Sequence, residues 1–256
     1  MIKSKFSLID RRKKSPESAS EDVEKTRRPR RSQVDVEKAV LNAASSLIEE
    51  LGFAKVTLTG ISRRAEIEST VFYRRYNNLD DLFDQYVRKF DYWLSSLAEI
   101  MPSDLSDEDS FKWIFKNLAN TLYKNKGMQQ LLIWELSDDN PTTRRTAGLR
   151  EIVNEPFLRM LENCFKDSKI DINVITALLI SGIYYLILHQ NISTFCEVDF
   201  SSKKGKQRLE AGIDQYATIL FAHLNRQKEK EEIANRLREE GVSEEVISRC
   251  LNSSKE

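Results

Sequence analysis

The sequence predicts an all-α protein with a small N-terminal three-helix unit and a larger helical bundle. Eight glycines and five prolines in 256 residues leave long stretches without a strong turn signal. Apolar residues recur every three or four positions, and no stretch alternates like a half-buried strand. A chain of this length can form two compact units. We therefore expect one unit over residues 33–82, a second over residues 83–225, and a charged helical extension over residues 226–256.

The first predicted helix covers residues 35–51 and turns one apolar face toward a core. Gly52 follows it, at the usual position of a left-handed helix end. The apolar face consists of Val36, Val40, Leu41, Ala44, Leu47, Ile48 and Leu51.

Two shorter helices are predicted after Gly52. Thr57 and Thr59 lie where a hydroxyl can cap a helix N-terminus, and helical spacing continues to Ala65. The apolar pattern then breaks and resumes over residues 69–76. Two short helices about one turn apart, leaning on a longer one, are typical of a helix-turn-helix unit that reads the DNA major groove.

The short helices carry four arginines and three aromatic residues, which makes them the candidate DNA-contacting surface. Arg63, Arg64 and Arg75 are predicted to hold phosphates. Arg74 and Ser69 are predicted to approach base edges. The alternative is that the arginines only solvate exposed helix faces. The candidate set is Thr57, Arg63, Arg64, Ser69, Thr70, Tyr73, Arg74, Arg75 and Tyr76.

Residues 36–82, 47 of the 256, resemble the N-terminal domain of the TetR/AcrR family of bacterial transcriptional regulators. The resemblance implies a homodimer that binds a palindromic double-stranded DNA operator. It also implies a second helical domain that dimerises and holds a pocket for a small-molecule effector. The matching residues are Ala43, Ala44, Leu47, Leu51, Gly52, Phe53, Thr57, Ile61, Ala65, Phe72, Tyr73, Tyr76, Asp80, Asp81 and Leu82.

The sequence departs from that family pattern at the turn. Members often have Gly-Val-Ser where this chain has Glu66, Ile67 and Glu68. Glu66 resists a positive φ by about 1 kcal/mol, so we expect the turn to have different dihedral angles. Glu68 suits the helix dipole and could accept a hydrogen bond from a cytosine amino group. Leu79 stands where members often have Lys, and the arginine pair at 74–75 is expected to replace that phosphate contact.

Residues 1–32 are predicted to form a disordered basic arm, because they are polar, Ser-rich and poor in apolar residues. Residues 1–33 contain 11 Lys or Arg and 5 Asp or Glu, a net charge of +6. The arm is either a solvated tail or a segment that reaches the minor groove.

The second domain is expected to contain helices over residues 80–100, 108–124, 128–136, 141–165, 172–195 and 206–224. Its aromatic and adaptable residues are candidates for an effector pocket, although the same spacing is typical of plain core. The pocket candidates are Trp113, Tyr123, Trp134, Phe157, Met160, Tyr184, Tyr185 and His189. The dimer candidates, on the last two bundle helices, are Ile175, Leu179, Gly182, Ile183, Ile213, Tyr216 and Leu220.

Composition disfavours several other classes of protein. Three isolated cysteines show neither metal-ligand spacing nor a disulfide framework, so we expect a reducing cytoplasm and no metal. The N-terminus lacks the apolar core of a signal peptide, and the apolar run over residues 174–188 is too short to span a bilayer. We therefore expect a buried helix there and no membrane partner.

An enzyme is disfavoured, and no cofactor is expected. The chain has two histidines, no Gly-rich phosphate loop and no nucleophile–base constellation. A carboxylate-based active site stays an open alternative, since 40 residues are acidic. The predicted function is a TetR-like transcriptional regulator that represses as a homodimer. The alternative is an architectural or recombination-associated protein that binds DNA with little sequence preference.

Overall fold

The computed structural model describes residues 32–90 and 100–252. These residues form ten α-helices and no β-strand, which confirms the all-α prediction. One isolated antiparallel bridge joins Phe195 and Val198. The predicted basic arm lies outside the described residues except for Ser32.

The N-terminal unit consists of α1 (Gln33–Leu51), α2 (Leu58–Ala65) and α3 (Ser69–Tyr73). Ser32 begins α1 with a capping box, in which its hydroxyl accepts from the Asp35 N–H and its own backbone N–H donates to the Asp35 carboxylate. Ser32 therefore belongs to the folded unit and not to the arm. The buried side chains facing one another are Val40, Ala44, Ile48, Ile61, Ala65 and Phe72.

Gly52 ends α1 with φ 79° and ψ 160°. The predicted helix end at Gly52 and its positive φ are correct, but the ψ is extended, so the predicted left-handed helical cap is not formed. This region of backbone space is open almost only to glycine. A single 3₁₀ turn, Phe53–Lys55, then leads into α2.

The fourth helix, α4 (Leu79–Val87), joins the N-terminal unit to the bundle. Residues 88–90 form one 3₁₀ turn, and the remainder of the helix expected over residues 80–100 falls mostly outside the described residues. The inner face of α4 is fully buried and contacts both α1 and the bundle. The two predicted units therefore share one continuous core.

The bundle contains α5 (Asp107–Lys124), α6 (Lys126–Ser137), α7 (Pro141–Phe165), α8 (Ile172–His189) and α9 (Lys203–Glu239). The helix expected over residues 172–195 ends at His189. The helix expected over residues 206–224 instead runs for 37 residues, into the segment predicted to be a separate extension. At 1.5 Å per residue, α9 is about 55 Å long.

A last helix, α10 (Glu244–Asn252), folds back on the end of α9. Gly241 has φ 79° in the turn, and the buried Ala234 and Ile247 pack between the two helices. The ammonium group of Lys230 donates to the Leu251 carbonyl oxygen at 2.9 Å. The charged extension is thus a helical hairpin.

Among the described helices, α8 alone is long and apolar enough to cross a membrane, with a mean hydropathy of 1.8 over 18 residues. Only 22% of that window is buried within the chain. The prediction of a buried helix is therefore wrong for most of its circumference. One face of α8 enters the core through Ile183 and Ile187, and the opposite face is open.

Candidate nucleic-acid interface and regulatory cleft

The outer faces of α2 and α3 present most of the predicted DNA-contacting residues to solvent. Thr57 caps α2 by accepting from the Gly60 N–H at 3.1 Å, and it is exposed. On α3, the Tyr73 side chain is 59% exposed, so its ring points outward. The exposed members of the predicted set are Thr57, Arg63, Arg64, Ser69, Thr70, Tyr73 and Arg74. Within the described residues, neither Arg63 nor Arg74 has an ion-pair partner.

Arg64 is exposed but already paired. Its guanidinium donates to both carboxylate oxygens of Glu50, at 2.7 and 2.9 Å, and to the Ser46 hydroxyl at 2.6 Å. The hydrogen bonds from Arg64 and Ser46 lower the pKa of Glu50. A phosphate must therefore compete with a carboxylate for Arg64.

Arg75 faces α1 instead of open solvent. It donates to the Gln33 carbonyl oxygen at 2.5 Å and contacts the Glu37 carboxylate at 3.4 Å. Gln85 of α4 donates to the other oxygen of Glu37 at 2.9 Å. Glu37 thus links the end of α3 to α4, and Arg75 acts as an internal brace.

Tyr76 belongs to the core, which corrects its assignment to the DNA-contacting set. The side chain is 4% exposed and its ring lies 5.1 Å from that of Phe72. The Tyr76 N–H donates to the Phe72 carbonyl at 3.1 Å, continuing the helical hydrogen bonds of α3. The i, i+4 spacing that placed Tyr76 on the reading helix also places it on the buried face with Phe72.

Lys55 is a candidate that the sequence pattern did not reveal. It ends the 3₁₀ turn directly before α2, is exposed, and has no ion-pair partner among the described residues. In the sequence, Lys55 can be recognised as a candidate by its position two residues before Thr57, which caps α2.

A cleft with a volume of about 1040 Å³ lies beside α8. We call it the α8 cleft. Of the predicted pocket residues, Tyr184, Tyr185 and His189 line it. Its other walls come from the last turns of α6, from Arg150 of α7, and from the segment after α8, including Ile192 and Phe195.

The other five predicted pocket residues lie elsewhere. Trp134 stacks on Phe53 of the N-terminal unit at 4.2 Å and lies edge-on to Phe83 of α4 at 5.6 Å. It therefore joins the two units and does not line the cleft. Tyr123 donates to the Phe200 carbonyl at 3.1 Å. Three predicted pocket residues on α5 and α7 also lie away from the cleft: Trp113, Phe157 and Met160.

Comparison with known proteins rests on structure. No protein-family model and no curated protein matches the sequence. A TetR-like transcriptional regulator from Rhodococcus sp. RHA1 matches with a TM-score of 0.55 and 16% identity, over 75% of this chain and 99% of that chain. A TetR/AcrR-family regulator from Aquifex aeolicus VF5 has a TM-score of 0.53 and 15% identity, over 72% and 99% of the two chains.

The fatty acid degradation regulator FadR from Bacillus halodurans gives a TM-score of 0.54 and 14% identity, over 73% of this chain and 96% of that chain. The chain has the TetR fold. The resemblance of residues 36–82 predicted a helix-turn-helix unit followed by a second helical domain. The structural matches confirm this prediction of the fold.

The turn of the helix-turn-helix in this TetR fold keeps left-handed geometry despite lacking glycine. Glu66 has φ 53° and ψ 50°, so the expectation of different dihedral angles is wrong. Its N–H donates to the Arg63 carbonyl at 3.3 Å, and the next N–H, of Ile67, donates to Ser62 at 3.0 Å. These bonds close the helix end and hold Glu66 in a strained conformation.

Three predicted dimer residues lie in the core of the chain itself. Ile183 and Ile213 are 1% and 2% exposed, and Leu220 is 8% exposed. The partly buried Ile175, Leu179 and Tyr216 pack against the same core. Of the predicted set, Gly182 lies on the wall of the α8 cleft. The exposed large apolar residues of these two helices are Val174, Leu178, Tyr185, Ile219 and Ile233.

Proposed function

We propose that the protein is a transcriptional regulator that acts in the cytoplasm as a homodimeric repressor. It binds a palindromic operator and leaves it when a small molecule enters the bundle. The observation that carries the proposal is the division of α2 and α3 into two faces. Ile61 and Phe72 close the core, whereas Arg63, Tyr73 and Arg74 face outward.

In the proposed complex, Arg63 and Lys55 hold phosphates and set the register of the protein on the duplex. Arg74, Ser69 and the Tyr73 hydroxyl approach the groove. The braced Arg75 orients the end of α3, since it ties this helix to α1 through Glu37.

Exposed apolar residues on α8 and α9 support the proposed dimer. Val174 of α8 is 54% exposed and Ile219 of α9 is 70% exposed, and neither residue lines the α8 cleft. Apolar groups at this density seldom stay in contact with water on a monomer. A two-fold dimer that reads a palindrome requires its two copies of α3 to lie about 34–36 Å apart, one turn of DNA.

The last turns of α6 offer a direct route from an effector to the DNA-binding unit. Ile133 and Glu135 line the α8 cleft, and Trp134 between them packs on Phe53 and Phe83. A ligand that displaces this turn must move Trp134 and hence α4. Coupling of about 1–3 kcal/mol would change operator affinity about 5- to 150-fold.

Footprinting and gel shifts on the intergenic DNA beside the protein's own gene test the proposal. We expect a protected palindrome. Arg74→Ala should lower the affinity of the protein for that palindrome at least tenfold. Arg159→Ala is the matched control, because Arg159 is exposed on α7, far along the chain from the reading helices. Absence of a protected palindrome at low salt would contradict the proposal. Equal affinity for operator and unrelated DNA would favour the architectural alternative.

A further inference from the structure

We propose that the α8 cleft takes an uncharged, largely apolar molecule that carries one hydrogen-bonding group. This inference rests on the proposed effector function and names the chemical class of that effector. It follows from three features of the cleft: its apolar walls, a self-neutralised ion pair, and the hydroxyl of Tyr184 beside that pair, which has no hydrogen-bond partner among the described residues.

The walls are aliphatic and aromatic. Leu132, Leu136, Leu178 and Ile192 contribute aliphatic surface. Near the end of α8, Tyr185 stacks on His189 at 5.2 Å, and Phe195 lies edge-on to Tyr185 at 5.3 Å. The Tyr185 and Phe195 rings form an apolar corner beside the His189 imidazole, of a kind that excludes water around a bound ligand.

The only charged side chains on the cleft wall, within the described residues, neutralise each other. Arg150 and Glu135 form a two-pronged ion pair, with side chains 13% and 10% exposed. The Thr146 hydroxyl donates to the same Glu135 carboxylate at 2.6 Å. A ligand carboxylate could bind Arg150 only by leaving Glu135 buried without its partner, and a ligand cation faces the reverse problem. The cleft therefore disfavours both signs of charge.

Tyr184 supplies the hydrogen bond. It lines the cleft next to the ion pair, and no described residue forms a hydrogen bond with its hydroxyl. Burial raises the pKa of Tyr184 to about 12, so the hydroxyl stays protonated and can both donate and accept at neutral pH. An alcohol, ketone, ester or amide on the ligand would satisfy it.

Three ten-carbon probes that differ in charge test this inference on the full-length protein without DNA. Calorimetry would measure the binding of decanol, decanoate and decyltrimethylammonium. Decanol is expected to bind at least tenfold more tightly than either charged probe. Glu135→Gln removes the partner of Arg150, so we expect it to raise the affinity for decanoate relative to decanol. If the role of Glu135 were purely structural, Glu135→Gln would leave the affinity for decanoate relative to decanol unchanged.

Gly182→Leu provides a variant that fills the cleft. A Cβ at Gly182 meets no atom within 4 Å, so the added side chain enters open space. Gly148→Leu on α7 is the matched control, since a Cβ there also meets nothing within 4 Å and Gly148 does not line the cleft. We expect Gly182→Leu, and not Gly148→Leu, to abolish decanol binding while both variants keep native helix content.

Several outcomes would overturn the inference. They are decanol binding that is absent, decanol binding no tighter than that of a charged probe, or decanol binding unchanged by Gly182→Leu. Loss of the dimer in Gly182→Leu with unchanged decanol binding would instead assign this face to a second copy. Gel shifts without probe test DNA binding separately, so failure of the ligand class and failure of the proposed regulator are distinguishable.

Discussion

Glu66 shows at the scale of one residue how the fold overrides a local preference. Its left-handed conformation costs an L-residue about 1–2 kcal/mol, and the chain accepts this because the turn between α2 and α3 must reverse within three residues. Sequence reasoning identified the cost correctly and drew the wrong conclusion from it. The packing of Ile61 and Phe72 on one core determines the turn, and the residue at its apex adapts.

Replacing Glu66 by glycine is expected to stabilise the protein by about 0.5–1 kcal/mol. Relief of the left-handed strain exceeds the conformational entropy that glycine adds to the unfolded chain. Gly52→Ala should have the opposite sign and cost about 1–3 kcal/mol, because position 52 has φ 79° and ψ 160°. Urea denaturation with unchanged m-values would measure both. Destabilisation by Glu66→Gly would contradict the strain argument.

Glu37→Gln is expected to turn Arg75 from a brace into an additional phosphate contact. With its ionised partner gone, Arg75 should steepen the slope of log affinity against log salt for non-specific duplex DNA by about 1. Glu49→Gln removes the same charge from α1, but among the described residues Glu49 accepts a hydrogen bond only from the Ser45 hydroxyl. Equal slopes in the two variants would show that general charge, and not release of Arg75, governs the change.

At the scale of elements, helical spacing predicted where helices lie better than which way they face. The one-sided stripe of α1 identified Val40, Ala44 and Ile48 as core correctly, because polar residues mark the other side. Helix α8 is apolar almost all round, so its periodicity cannot distinguish inward Ile183 from outward Leu178. Only the position of neighbouring helices resolves that choice, and for this reason three residues predicted at the dimer face lie in the core: Ile183, Ile213 and Leu220.

Trp134 illustrates the same limit for long-range contacts. Sequence reasoning treated it as a pocket aromatic, yet it joins α6 to Phe53, 81 positions earlier in the chain. We expect a double-mutant cycle of Trp134→Leu and Phe53→Leu to give a coupling energy of about 0.5–1.5 kcal/mol. Trp113→Leu with Phe53→Leu is the control, and its effects should add within about 0.5 kcal/mol. Additivity in both cycles would deny that Trp134 links the two units.

The ion pair between α4 and α7 should make stability depend on pH. Burial alone would raise the pKa of Asp84, but hydrogen bonds and charges from Arg88 and Arg145 outweigh it and lower that pKa below 3.8. A lowered folded-state pKa contributes stability above the unfolded value, and this contribution disappears as the pH falls through the folded value. The Arg145 Nε lies 2.9 Å from the carboxylate.

Asp84→Asn is therefore expected to lower the free energy of unfolding by about 1 kcal/mol at pH 7, with the difference from the native protein shrinking below about pH 4. Asp80→Asn, on the exposed side of the same helix, is the control and should show a smaller difference. Urea denaturation between pH 3 and pH 7 would test this. A difference that does not depend on pH would mean that Asp84 acts through packing and not through its charge.

At the scale of the whole molecule, the predicted N-terminal arm and the helix-turn-helix unit differ in the sign of their net charge. Residues 33–82 contain 6 Lys or Arg and 8 Asp or Glu, a net charge of −2. Two of those six cations, Arg64 and Arg75, already contact carboxylates. The helix-turn-helix unit therefore has little net attraction for a polyanion, and its remaining exposed cations act locally. The excess of +6 in residues 1–33 is the largest source of attraction near it.

Removal of residues 1–31 is expected to weaken DNA binding most strongly at low salt and to flatten its salt dependence. Each phosphate that the protein no longer neutralises reduces the slope of log affinity against log salt by about 0.9. The truncation keeps Ser32, because its capping box begins α1. Circular dichroism should therefore show unchanged helix in the truncated protein. A variant with Arg27, Arg28, Arg30 and Arg31 replaced by glutamine separates charge from length, and we expect it to match the truncation. Full-length and truncated proteins with the same slope would leave the arm without a role in binding, and the exposed cations of α2 and α3 would then account for all of the affinity.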